Sequence, residues 1–121
     1  MGTYSKIILS GSTDGEGLRL TVTAPSTGLV VHTCVTGAAQ SIDELWLYAH
    51  RTVSTEIELS SALGPTTATG SRVRHTITAD QKRGQILIIP GLVGRNAKEW
   101  KCWVTTTDLV NLFGYVNRYA S

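Results

Sequence analysis

The chain has little charge, little sulfur and no long apolar run, and each shortage closes off a class of protein. Charged residues make up 17% of the 121 positions and the net charge is only +2, too mild a field to mark a nucleic-acid partner. No block of Lys or Arg forms a basic stripe. The nearest group, Gln81-Lys82-Arg83, reads as a solvated turn. The most apolar stretch is GQILIIPGLVGRN, Gly84 to Asn96. Its run from Ile86 to Ile89 falls far short of the roughly 20 residues a membrane helix needs. Pro90 is expected to end that run, because proline donates no ladder hydrogen bond, and four large apolar residues in succession are expected to form a buried strand covered on both faces. Gly84, Gly91 and Gly94 match neither a Walker loop nor a dinucleotide fingerprint. The segment MGTYSKIILSGS has no basic stretch ahead of a long apolar core, so no signal peptide is visible, and Lys6 stands where myristoylation requires Ser or Thr. Cys34 and Cys102 are the only cysteines. They have no ligand spacing and are expected as two buried free thiols. No Asp-rich loop offers oxygen ligands at calcium spacing, so neither metal nor cofactor is expected.

What is present points to β structure. Apolar residues reach 41%, enough to build a core rather than a disordered chain. Thr and Ser supply roughly a fifth of the residues and cluster with Val and Ile, a composition that suits a pleated sheet. Turn signals recur about every ten residues and separate YSKIILS, LRLTVTA, LVVHTCVT, IDELWLYAH, TEIELS, SRVRHTIT, the stretch around Ile86, EWKCWVTTT and LVNLFGYVNRY. Ser41 to Leu47 carries a capping-box pattern, but alternation through ELWLYAH favours a strand. The expectation is an all-β, single-domain antiparallel β-sandwich over residues 1–121, jelly-roll-like, with about nine strands. In the hairpin from Thr55 to Thr78, pairing Ile57 with Val73 sets Glu58 beside Arg72 and Glu56 beside Arg74, with Ile57, Leu59, Val73 and His75 facing the core.

Groups for catalysis are sparse. His75 alternates with Val73 and Ile77 and reads as a core histidine with a local partner. His32 alternates with Cys34, but side chains two apart on a strand are about 7 Å apart, too far for direct proton transfer. Asp43 and Glu44 are neighbours whose side chains diverge on a strand. Glu56 and Glu58 share a face that reads as solvated rather than as a glycosidase pair. No nucleophile, base and orienting group assemble, so the chain is not expected to be an enzyme. The aromatics say more. Trp46 and Tyr48 lie opposite Leu45 and Leu47, Trp103 lies opposite Trp100 and Cys102, and Phe113 and Tyr115 lie opposite Leu112 and Val116. Strands apolar on both faces are hard to bury in so short a chain and mark contact surfaces. Trp46, Tyr48, Trp103, Phe113, Tyr115 and Tyr119 are therefore the candidate contacts with other protein chains, subunits of an oligomer first.

The phrases TYSKIILSGSTDGEGLRL, IDELWLYAHRT, ILIIPGLVG and FGYVNR resemble, in order and spacing, small β-rich structural proteins of tailed bacteriophages that decorate heads or fill accessory virion positions. The resemblance implies a non-enzymatic virion protein, made in the host cytoplasm and carried on the capsid exterior. Its implied partners are the major capsid protein or other virion proteins and further copies of itself, a trimer first, with neither nucleic acid nor membrane. The alternative is a carbohydrate- or ligand-binding sandwich using Trp46, Tyr48 or Trp103 as a stacking platform.

Overall fold

Alternation in SIDELWLYAH builds the spine of the molecule. Asp43, Leu45, Leu47 and Ala49 are fully buried, while Glu44, Trp46 and Tyr48 stay partly exposed on the other face. The computed structural model describes residues 2–21, 28–36, 41–51, 57–64, 72–77, 86–104 and 110–120. Its strands are β1 (Thr3–Ile8), β2 (Leu18–Arg19), β3 (Leu29–Thr33), β4 (Ile42–Arg51), β5 (Ile57–Leu63), β6 (Arg72–Ile77), β7 (Ile86–Gly94), β8 (Glu99–Val104) and β9 (Val110–Ala120).

The strands pair as a nested ribbon. β1 and β2 pair with β9, β3 with β8, β4 with β7 and β5 with β6, all antiparallel. β4 also pairs β9, and β5 pairs β8. The result is one sheet in the order β1-β9-β4-β7, with β2 also on β9, and a second in the order β3-β8-β5-β6. That winding of a long double ribbon into two facing sheets is a jelly roll. Between the sheets, Leu45, Leu47, Leu112 and Val116 meet Val31, Leu59, Trp100, Cys102 and Val104, all at 2% exposure or less. Each large aliphatic side chain so buried stabilises the fold by about 1.5–3 kcal/mol. Cys34 and Cys102 are free thiols, both buried.

Three details correct the sequence reading. β7 does not stop at Pro90 but runs on to Gly94. It is an edge strand, where a proline without an N–H leaves no ladder bond unmade. Gly91 follows with φ +86° at a register shift opposite Leu45 and Trp46, the positive φ that glycine adopts without steric cost. A second shift, opposite Leu47 and Tyr48, lets Ile88 and Ile89 both turn inward, whereas Leu87 is 41% exposed. The run from Ile86 to Ile89 is thus not covered on both faces. The β5–β6 register also differs, with Ile57 opposite Ile77, Leu59 opposite His75 and Ser61 opposite Val73. The slip is four residues, an even number, which alternation alone cannot detect, but Val73, expected on the core side, is 41% exposed on the edge strand β6. The other edge of β5 is fixed on β8, from Leu59–Val104 to Leu63–Trp100. The expected Glu58–Arg72 neighbours are not formed, since Arg72 lies opposite Ala62; Glu58 instead reaches Arg74, diagonally, at 3.2 Å. Glu56 and the turn at Gln81-Lys82-Arg83 lie outside the described residues.

Candidate functional site

Two constellations stand out, one between the sheets and one on an outer face. In the first, the register sets Asp43 of β4 directly opposite Arg118 of β9 on the inward side. Arg118 donates from Nε to Asp43 Oδ1 at 2.7 Å and from Nη2 to Oδ2 at 2.8 Å. His32, arriving from β3 in the opposite sheet, meets Oδ2 through Nε2 at 2.7 Å, and the Val35 N–H donates to the same oxygen at 3.0 Å. The Ser10 N–H donates to His32 Nδ1 at 3.0 Å, so the ring proton sits on Nε2 and points at the carboxylate. A register shift between Val30 and His32 gives both Val31 and His32 full burial, which strict alternation does not allow.

Burial works to raise the Asp43 pKa, but the bonds from Arg118 and His32 outweigh it and hold the carboxyl below its ordinary value. The same surroundings push the Cys34 thiol up to about 12, burial first and the Asp43 charge second. A histidine with both nitrogens engaged and no exposure cannot take a proton from a substrate, and a protonated thiol is a poor nucleophile. This cluster is an electrostatic rivet between the sheets. Elsewhere His75 is half-buried, its Nε2 lies 3.4 Å from Ser61 Oγ, and burial lowers its pKa. Among the described residues no three His, Cys, Asp or Glu side chains gather as a metal site.

The second constellation is the outward face of the five-stranded sheet, where cross-strand partners line up in rows. Tyr4, Tyr119 and Ile42 form the first row; Lys6, Asn117 and Glu44 the second; Ile8, Tyr115 and Trp46 the third. Phe113 and Tyr48 follow, and Leu87 extends that row onto β7. The Trp46 and Tyr115 rings lie within 8° of parallel, with centroids 6.3 Å apart. Lys6 Nζ sits 4.7 Å from the Tyr115 ring centre, a cation–π contact. Trp46 Nε1 donates to Glu44 Oε1 at 2.6 Å and Asn117 Nδ2 donates to the same oxygen at 3.2 Å; these two bonds, the first above all, lower the Glu44 pKa. At one end the face hollows into a groove of about 420 Å³ walled by Tyr4, Lys6, Ile42, Glu44, Asn117 and Tyr119.

Comparison with family models, curated proteins and solved structures finds no match. The arrangement itself must therefore carry the reading. Of the six candidate contact residues, Trp46, Tyr48, Phe113, Tyr115 and Tyr119 come together on this one face, each partly exposed. Trp103 does not join them. It lies in the other sheet opposite Ser60 and is only 8% exposed, so the chain itself already covers it. The buried trio was missed because its members are far apart in sequence. One signal was available: Asp43 and Arg118 occupy the inward phase set by Leu45 and Val116, where an uncompensated charge is too costly to leave unpaired.

Proposed function

We propose that this chain is a non-enzymatic structural protein of a tailed-bacteriophage virion, a decoration or head-accessory protein that assembles as a symmetric oligomer through the outward face of its five-stranded sheet. One observation carries the proposal. That face, which in an isolated sandwich is normally polar, presents Ile8 at 50% exposure and Leu87 at 41%, with Trp46, Tyr48, Phe113 and Tyr115 between them. A contiguous apolar sheet face is a contact surface in search of a partner, and aromatic residues are its natural anchors. The resemblance of the sequence phrases to phage structural proteins supports the same reading. So does the jelly roll, a fold recurrent in viral capsids, although fold alone assigns no function. Closed symmetry, with a trimer the first expectation, buries such a patch in every copy.

The test is assembly state. Light scattering on the purified chain should report a discrete oligomer, and Trp46→Ala and Tyr48→Ala should each weaken it while far-UV circular dichroism stays that of a β protein. A centrally buried anchor contributes about 2 kcal/mol, roughly thirtyfold in dissociation constant. Particles lacking the chain should take it up. A wild-type chain that stays monomeric and ignores such particles rejects the proposal.

A further inference from the structure

The groove at the Tyr4–Tyr119 end of this face differs in kind from the apolar rows beside it. It is concave, and its volume of about 420 Å³ falls in the range of small-molecule sites. Its walls combine ring surface with paired hydrogen-bonding groups. Tyr4 is 80% exposed and packs at a 49° tilt on Tyr119, with ring centres 4.7 Å apart. Gly2 lies under the Tyr119 ring, so close that a methyl group there would fall 2.0 Å from ring carbon Cζ. In the next row on the same face stand Glu44, Asn117 and Lys6, which share the groove lining. Glu44 is held in place by the Trp46 and Asn117 donors, which both end on Oε1. Its second oxygen takes neither bond.

The charges decide the ligand class. Among the wall residues Lys6 and Glu44 cancel, so the groove has no net charge with which to attract a phosphate, a nucleic acid or a basic peptide. A fixed carboxylate acceptor, an amide that both donates and accepts, and an ammonium donor, set beside tyrosine faces, fit a neutral molecule with hydroxyl groups on one side and C–H surface on the other. We propose that this groove is a saccharide site: it takes a neutral pyranose whose C–H face rests on Tyr4 and Tyr119 while its hydroxyls bond Glu44, Asn117 and Lys6. It lies on the same outward face, next to the apolar rows assigned to assembly, and its sugar contacts are made by Tyr4, Tyr119, Glu44, Asn117 and Lys6 rather than by those rows.

Saturation-transfer NMR and calorimetry on the full chain, using the methyl glycosides of glucose, galactose, mannose and N-acetylglucosamine and the disaccharides of each, test the assignment at any oligomer size. At least one probe should bind saturably, with its C–H protons receiving the transfer. Tyr4→Ala, which removes an exposed ring and leaves the core untouched, should weaken that binding about tenfold. Glu44→Gln should weaken it through loss of the ionised acceptor, while Arg74→Ala on the opposite sheet should not change it. Gly2→Ala should weaken it by displacing Tyr119. Absence of saturable binding across the panel overturns the proposal, as does binding that Tyr4→Ala and Glu44→Gln leave unchanged. Capture of an acidic or basic peptide by the groove in preference to every sugar also overturns it.

Discussion

Replacing Asp43 by Asn should unfasten the two sheets without creating a cavity. The wild-type carboxylate accepts four bonds, three of them at Oδ2, from His32, Val35 and Arg118. Asparagine offers one oxygen and one amino group of nearly the same shape. His32 cannot shift its proton to Nδ1, because that nitrogen already accepts from Ser10 N–H. The amide oxygen must therefore occupy the Oδ2 position, which sets the amino group against the Arg118 Nε–H, donor facing donor. One charge-assisted bond is lost and Arg118 has no counter-charge. Breaking a buried pair from one side costs about 3–5 kcal/mol. The Arg118 side chain is 29% exposed and recovers some hydration, so the low end, about 3 kcal/mol, is expected. At a urea slope of about 2 kcal/mol/M the midpoint should fall by about 1.5 M near neutral pH. Acid supplies an independent check. The folded pKa of Asp43 lies below its ordinary 3.8, so its contribution is complete above that value and is lost as pH falls through the lowered one. The wild-type advantage over Asp43→Asn should hold steady down to mildly acidic pH and then shrink. A variant unfolding within about 0.5 kcal/mol of wild type, or a gap that ignores acid, would refute the rivet.

Both thiols are buried and pushed up to about 12, so iodoacetamide should leave the native chain unmodified and label both cysteines only after unfolding. Intact mass under non-reducing conditions should show no intrachain disulfide. Gly91→Ala places a side chain at φ +86° and 3.2 Å from the Trp46 ring; calorimetric melting should report a loss of about 1–2 kcal/mol. Arg74→Ala breaks an ion pair whose side chains are 72% and 41% exposed, and chemical unfolding should register a change of less than about 0.5 kcal/mol.

The sequence by itself determined everything that rests on a period of two. Alternation in IDELWLYAH assigns Leu45 and Leu47 to the core and Trp46 and Tyr48 to the outside. The same rule sets Asp43 and Glu44 on opposite faces and Trp103 opposite Trp100. These assignments are legible because the strand repeat is a local property of the backbone. Tertiary structure decided what depends on the count of residues between strands. An even slip of β6 along β5 leaves the alternation undisturbed and changes every partner, and at the sheet edge Val73 stays 41% exposed. Bulges in β3 and β7 bring Val31 with His32, and Ile88 with Ile89, into the core together. The His32–Asp43–Arg118 rivet spans 11 and 75 positions of chain, and the groove exists only because β1 closes against the far end of β9, setting Tyr4 beside Tyr119. Such meetings follow from the winding of the whole ribbon, which no short window of residues contains.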